Sequence, residues 1–177
     1  MPGKMPPHIE PGLYQTGTSP TGLPNYPNGC HICEVEIDEE TGAVEIVRYT
    51  VVDDVGTVIN PLLLKGQIQG GIVQGAGQAL MEDFCLDADS GQVVAGSFMD
   101  YCMPRAADFC SFNIGNNEVP TPTNPLGVKG AGEAGTVGAL SAVMSAVNDA
   151  LEPLGVDFID MPATPNKVWD AIRNAQG

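Results

Sequence analysis

The chain has 177 residues, of which 43% are hydrophobic and 16% are charged. This length and composition are typical of one globular domain and exclude the low hydrophobicity of a disordered chain. Seven basic and 22 acidic residues give a net charge of −15, which argues against nucleic-acid binding and against attraction to an anionic membrane. No apolar stretch reaches the roughly 20 residues of a membrane span. The first residues lack the apolar core of a signal peptide, so we expect a cytoplasmic location.

The amino-terminal third predicts an extended arm followed by a β-hairpin. Residues 1–29 are rich in Pro, Gly, Asn and Thr and show no periodicity, so we interpret them as an arm or linker and expect residues 30–177 to form the domain. Apolar and acidic residues alternate over 30–37, which predicts a strand with one buried face. A turn at 40–42 and a β-branched run at 44–52 predict its hairpin partner. This second run is apolar on both faces, which favours a central position in the sheet.

The middle of the chain predicts a glycine-containing helix and two further strands. The asparagine–proline pair at 60–61 indicates a helix start, and the helix is predicted over residues 62–84. Its five glycines each cost up to about 1 kcal/mol relative to alanine. We therefore expect another backbone or a ligand to approach this helix closely. Residues 92–101 and 109–114 are predicted strands.

The carboxyl-terminal part predicts two more helices. The first covers residues 136–152, with a buried stripe formed by Val137, Leu140, Val143, Val147 and Leu151. Thr164 and Pro165 indicate the start of a short final helix, held on the core by Val168, Trp169 and Ile172. The whole pattern predicts an α+β domain with a mixed, largely antiparallel sheet, two long helices and a short C-terminal helix.

A glycine-rich loop at residues 127–135 is the first candidate site. Glycine lets a backbone approach a ligand and adopt positive φ, and the following helix directs its first N–H groups at the loop. Glu133 lies within it and could act as a general base. The alternative is a glycine turn with a surface glutamate that caps the helix. The spacing matches neither a phosphate-binding P-loop nor a dinucleotide-binding motif.

A stripe of amides on the long glycine-containing helix is the second candidate site. Gln67, Gln74 and Gln78 are separated by seven and four residues, which places them on one side of a helix. Amides can donate to and accept from a heteroaromatic ring or a phosphate. A solvated helix face is the alternative.

The cysteines and acidic pairs do not predict a metal site. Five cysteines without a secretion signal indicate free thiols. Cys30 and Cys33 form a Cys-x-x-Cys motif, but residues three apart on a strand point to opposite faces. We interpret these two cysteines as structural or incidental, and the Asp53-Asp54 pair as a strand-end cap or turn.

Four segments in order carry a resemblance to a known family. Residues 53–61 read DDVGTVINP, 66–75 read GQIQGGIVQG, 99–105 read MDYCMPR and 124–133 read NPLGVKGAGE. Together they closely resemble the molybdenum-cofactor-binding large subunit of the xanthine oxidase family, in the carbon monoxide dehydrogenase and aldehyde oxidoreductase branch. The resemblance covers most of residues 13–172 and places this chain in the C-terminal part of that subunit.

The resemblance implies a molybdenum hydroxylase that oxidises an aldehyde, an N-heterocycle or CO with a water-derived oxygen. It assigns Glu133 as the general base at the Mo–OH group and places Ala131 and Gly132 beside the metal. Gln74 matches the helix glutamine that contacts the pterin, and Gln67 and Gln78 are further expected contacts. The expected cofactor is molybdopterin with molybdenum, in its cytosine dinucleotide form, bound in the complete subunit.

The resemblance also implies partners and an alternative function. The expected partners are the remainder of the molybdenum subunit, iron–sulfur and FAD subunits or domains, and a small-molecule substrate. The family's substrate-gating segments lie upstream of the sequence present here, so we expect this chain to be inactive alone. The alternative is a non-catalytic assembly domain or gene remnant with no bound cofactor.

Overall fold

A computed structural model describes residue 12, residues 14–18 and residues 23–177, and it shows an α+β fold. Its sheet has three strands in the order β1-β2-β3. Strands β1 (Asn28–Ile37) and β2 (Val44–Asp54) form an antiparallel hairpin, and β3 (Asn113–Asn116) pairs with β2 in parallel. The predicted fold class and the central position of the second strand are confirmed. Of the predicted arm, residues 1–29, the structure describes residue 12, residues 14–18 and residues 23–29, and β1 begins within it at Asn28. The other arm residues lie outside the described part of the chain.

The hairpin has one buried and one exposed face, as its sequence alternation predicts. Along β1 the inward side chains are half-buried and the glutamates between them are exposed. Tyr49 and Val51 of β2 are fully buried. At the hairpin turn Gly42 has a φ of 72°, and a Cβ there would lie 2.0 Å from the Pro165 carbonyl oxygen. The turn therefore needs glycine both for its conformation and for its contact with the last helix.

Three helices complete the fold. Helix α1 spans Pro61–Leu80, and the Asn60 side chain caps it by accepting hydrogen bonds from the first N–H groups of the helix. It ends four residues before the predicted boundary, where the Met81 N–H donates to the Gly77 carbonyl. Helix α2 spans Ala134–Leu151 and α3 spans Pro165–Gln176.

Helices α1 and α2 cross with almost no side chain between them. A Cβ on Gly71 would lie 3.0 Å from the Gly135 Cα, and one on Gly75 would lie 2.8 Å from the Thr136 carbonyl oxygen. A Cβ on Gly135 would lie 2.5 Å from the Ile68 carbonyl oxygen. Glycines at these positions therefore offset their poor helix propensity by allowing the two backbones to touch.

The core lies between the hairpin and the helices. Val143, Val147 and Leu151 of α2 are fully buried, as predicted, but Leu140 is only half-buried and Val137 is 67% exposed, and Ala139 takes the buried place in the first turns. Val137 was misassigned because the first turn of α2 borders an open cavity instead of the sheet. The largest fully buried side chains are Tyr49, Ile68, Ile72, Leu151, Ile172, Val51, Val143, Val147 and Val168.

One predicted strand is wrong, and another begins later than predicted. Over residues 92–101 the structure has turns and bends, with one isolated bridge between Leu86 and Val93. Apart from that bridge this segment has no neighbouring strand, and Phe98 and Met99 are exposed. The run at 109–114 becomes a strand only from Asn113, because Phe112 packs edge-on against the Tyr49 ring instead of extending the ladder.

Two further features concern cysteines and hydropathy. All five cysteines fall within the described residues and all are free thiols, as predicted.

Among the helices that the structure describes, none has the length and hydropathy required to span a membrane.

Candidate functional site

The glycine-rich loop is anchored at its base to the end of β2. The Lys129 N–H donates to the Val55 carbonyl at 2.8 Å, and the Thr57 N–H donates to the Gly127 carbonyl at 3.0 Å. The Lys129 ammonium also forms a salt bridge with the Asp54 carboxylate, and both side chains are nearly buried. The loop thus begins from a fixed position, although its sequence suggests flexibility.

Asp54 serves this anchor as a hub of hydrogen bonds. Its carboxylate accepts from the Gly56 N–H at 2.8 Å, the Val119 N–H at 3.1 Å and the Asn28 amide at 3.2 Å. The Lys129 ammonium, followed by the Gly56 N–H, holds the pKa of Asp54 well below its usual range. The strand-end interpretation of this residue agrees with its contacts.

Positive φ is used at two glycines of the anchor and not in the rest of the loop. Gly56 and Gly127 have φ of 67° and 68°, and a Cβ on Gly56 would lie 2.2 Å from the Gly127 carbonyl oxygen. Gly130 and Gly132 do not adopt positive φ. A Cβ on either would meet nothing within 4 Å, so their backbones lie open to a ligand or to another part of the protein.

Glu133 follows this open stretch at the N-cap position of α2. Its side chain is exposed and makes no capping hydrogen bond, so the N–H groups in the first turn of α2 have no side-chain cap. Glu133 therefore stands at the N-cap position, as the alternative interpretation predicts, but it does not make the hydrogen bond of a capping residue. Neighbouring Ala131 is half-buried.

Two of the three predicted glutamines contact the loop or the start of α2. The Gln67 amide donates to the Gly132 carbonyl at 2.7 Å, and the Gln74 amide oxygen accepts from the Thr136 hydroxyl at 3.3 Å. Gln78 lies one turn further along α1, is exposed, and makes no side-chain hydrogen bond within the described residues. The structure thus brings Gln67 and Gln74 to the same end of α2 as Glu133.

A buried polar chain on the hairpin was missed from the sequence. His31 Nδ1 lies 2.7 Å from the Tyr49 hydroxyl, and His31 Nε2 lies 3.3 Å from Asp53 Oδ1. The His31 and Asp53 side chains are only 6% and 3% exposed. Burial is the main cause that raises the pKa of Tyr49. Strand alternation could have indicated this chain, because positions 31, 49 and 53 face one side of the paired strands.

A cavity of about 540 Å³ joins this polar chain to the loop. Its walls include His31 and Asp53 from the hairpin, and Gly130, Gly132 and Glu133 from the loop. Among the residues that the structure describes, no group of three or more His, Cys, Asp or Glu side chains could hold a metal ion. The chain therefore offers carboxylates, amides and open backbone at this place, and no ready set of metal ligands.

A family model described as a molybdopterin cofactor-binding domain matches residues 6–110. This range includes the hairpin and α1, and the loop with Glu133 lies beyond it. The nicotine 6-hydroxylase large subunit of Paenarthrobacter nicotinovorans is 42% identical over 170 residues, which are 96% of this chain and 21% of that protein. The carbon monoxide dehydrogenase large chain of Hydrogenophaga pseudoflava is 34% identical over 168 residues, which are 95% of this chain and 21% of that protein.

Solved structures show the same fold. Quinoline 2-oxidoreductase from Pseudomonas putida 86 superposes with a TM-score of 0.81 at 42% identity, over 84% of this chain and 19% of that one. The chain spans about a fifth of the length of the relatives that it matches.

Proposed function

Because the chain belongs to the molybdopterin cofactor-binding domain family, we propose that it forms one part of the catalytic subunit of a molybdenum hydroxylase. The reaction would be oxidation of an aldehyde, an N-heterocycle or CO with a water-derived oxygen. The relatives carry names of nicotine-, quinoline- and carbon monoxide-oxidising enzymes. The proposed location is the cytoplasm, and the proposed partners are the rest of the molybdenum subunit and iron–sulfur and FAD subunits.

The open loop and its neighbours fit a molybdopterin cofactor. A Cβ on Gly130 or Gly132 would meet nothing within 4 Å, and the first turn of α2 has no side-chain cap. Uncapped N–H groups at a helix start bind phosphate well. A chain with a net charge of −15 and no basic residue at this loop beyond the paired Lys129 must hold an anion through such neutral donors. This donor set suits a pterin carrying phosphate groups, and we propose the cytosine dinucleotide form.

The amide side chains of α1 would complete the cradle. Gln67 already donates one N–H to the Gly132 carbonyl and keeps its carbonyl oxygen available as an acceptor. Gln74 is exposed and is held by Thr136 through its oxygen, so its NH₂ group is available to donate. Gln78 lies one turn beyond Gln74 on α1, so it would contact only the far end of the ligand. Ala131 and Gly132 would lie beside the metal.

When bound, the cofactor supplies the metal centre that accepts electrons from the substrate. The role left to this chain is proton removal, and Glu133 is the proposed general base. Its carboxylate is exposed and has no hydrogen-bond donor from α2, so both oxygens are available to accept a proton.

Substitution of Glu133 tests this role in the complete enzyme that contains the chain. Glu133→Gln keeps the size of the side chain and removes its basicity, so kcat should fall by roughly 10²- to 10⁴-fold. Cofactor content should stay unchanged by metal analysis and absorbance. Glu152→Gln, at the opposite end of α2, is the matched control and should leave kcat unaltered. Unchanged turnover in the Glu133 variant would rule out the general-base role.

The alternative is a non-catalytic assembly domain or gene remnant. It is favoured by exposed large apolar side chains such as Phe98 and Met99. Metal analysis of the 177-residue chain, made with and without the rest of the subunit in a host that produces the cofactor, separates the two. Our proposal that activity needs the rest of the subunit predicts little molybdenum and no turnover in the chain alone. Restored molybdenum and turnover on addition of the missing part would exclude the remnant.

A further inference from the structure

The outer edge of β1 carries backbone groups that no described residue pairs with. In the sheet order β1-β2-β3, β1 pairs with β2 alone. Within the described part of the chain, its residues make no backbone hydrogen bond to any further element. Successive residues of an antiparallel strand direct their N–H and C=O groups alternately to either side, so about half of these groups face away from β2. Such a free edge is a template for another strand.

The two halves of this edge differ in their protection against strand pairing. The register with β2 shifts between Glu34 and Val35, as in a β-bulge, and Glu34 and Glu36 are exposed charges. Bulges and edge charges are the usual features that keep a second strand away. Residues 29–33, which read GCHIC, contain no proline, lysine, arginine or acidic residue, and their register with β2 is regular. The first half of β1 is therefore open to pairing.

A groove with a volume of about 630 Å³ follows this open half. All residues from 29 to 33 line one side of it, and helix α2 lines the other. The α2 residues recur at helical spacing on one face, and all but the last are small. They are Gly138, Ser141, Ala142, Ser145, Ala146 and Asp149. The groove therefore combines unpaired backbone on one wall with room for side chains on the other.

We propose that an extended apolar strand from the rest of the molybdenum subunit lies in this groove and pairs with residues 29–33 of β1. The inference rests on the proposed function, because the chain spans about a fifth of its relatives and the rest of the subunit supplies the strand. Main-chain hydrogen bonds to the β1 edge would provide affinity, and alternate side chains would enter the space beside the small α2 residues. The opposite set would lie beside Ile32, which is 56% exposed.

The charge of the chain argues against a second copy and against an acidic strand. The net charge is −15, so two copies joined edge to edge would bring like charges together. An acidic strand would meet the Asp149 carboxylate at the groove. A strand rich in lysine or arginine would find only that one carboxylate among the described lining residues. Apolar side chains fit the glycine, alanine and serine face of α2 and the exposed Ile32 without either cost.

Hydrogen exchange tests the pairing in the 177-residue chain and in the complete subunit, by mass spectrometry with residue-level fragmentation. In the chain alone, alternate amides of residues 29–33 should exchange as exposed backbone does. In the complete subunit the same amides should exchange at least roughly 100-fold more slowly, because a partner strand protects them. The amides between them already bond to β2, so they should be slow in both samples and serve as the internal control.

A bulky side chain placed in the groove tests the position of the strand. Ser145 is exposed, so Ser145→Tyr should leave the fold intact while its ring fills the space beside the edge. In the complete subunit, this variant should return the protected amides of residues 29–33 to the fast exchange of the chain alone. Asn174→Tyr, at an exposed position of α3 outside the groove, is the matched control and should keep the protection.

Three results would overturn the inference. The first is fast exchange of the same amides in the unaltered complete subunit, which needs no variant to fold. The second is slow exchange in the chain alone, and sedimentation would then show whether a second copy occupies the edge. The third is a folded Ser145→Tyr subunit that keeps full protection. Exchange is measured without turnover, so a failure here leaves the role of Glu133 intact, and loss of that role leaves the protection unchanged.

Discussion

The close crossing of α1 and α2 makes a quantitative prediction for two glycines of the same helix. Gly70 and Gly75 are both interior to α1, so replacement of either by alanine gains about 1 kcal/mol of helix propensity. The two sites differ in surroundings. A Cβ on Gly70 meets nothing within 4 Å, whereas one on Gly75 lies 2.8 Å from both the Thr136 carbonyl oxygen and the Ala139 Cβ. Because the propensity gain is common, the difference between the variants measures the crossing alone.

Overpacking of a close contact costs roughly 1–3 kcal/mol. We therefore expect Gly70→Ala to raise the free energy of unfolding by about 1 kcal/mol. The free energy of unfolding of Gly75→Ala should be about 1–3 kcal/mol lower than that of Gly70→Ala. Urea denaturation followed by circular dichroism gives both values with one protocol. Equal stability of the two alanine variants would show that the backbones of α1 and α2 do not touch at Gly75, and the reasoning about the glycine crossing would then be incorrect.

Two further predictions concern titratable groups. Burial raises the pKa of Cys33 to about 12. At pH 8 its thiol should therefore react with iodoacetamide at least roughly 100-fold more slowly than the exposed Cys30, as measured by mass spectrometry. Equal reaction rates of the two thiols would contradict the burial of Cys33. The lowered pKa of Asp54 stabilises the native state above the ordinary pKa of an aspartate, and this contribution is lost as pH falls through the depressed value. Lys129→Met removes the main cause of that depression, so acid unfolding should begin at a higher pH than in the unaltered chain. An unchanged acid transition would count against the anchor.

The sequence was sufficient for elements whose residues carry a strong local signal. The alternation along 30–37 set the buried face of the first strand, because a period of two admits only one buried face, and the β-branched run at 44–52 marked its hairpin partner. Asn60 and Pro61 marked the start of α1 through hydrogen bonding and a preset φ. The end of α1 was less clear, since residues 81–84 remain compatible with a helix by propensity.

The remaining features depend on tertiary partners that a local pattern does not report. The run at 109–114 is aromatic and β-prone, yet Phe109 and Phe112 pack edge-on against each other, and pairing with β2 begins only at Asn113. The candidate site was likewise only partly predictable from local patterns. Spacing placed the glutamines on one helix face, but the bond from Gln67 to Gly132 spans 65 residues.

The position of the open loop is determined by two segments that do not form part of it. Its base is fixed by the salt bridge to Asp54, and its far end is fixed where Gly135 packs against the backbone of α1. Between these anchors, a Cβ on Gly130 or Gly132 would meet nothing within 4 Å. A carboxylate carried on such a span can be placed accurately only if both anchors are rigid, because a shift of about 1 Å in a catalytic group can cost on the order of 100-fold in rate. The glycines of the helix crossing therefore influence Glu133 through geometry, although none of them would contact a substrate.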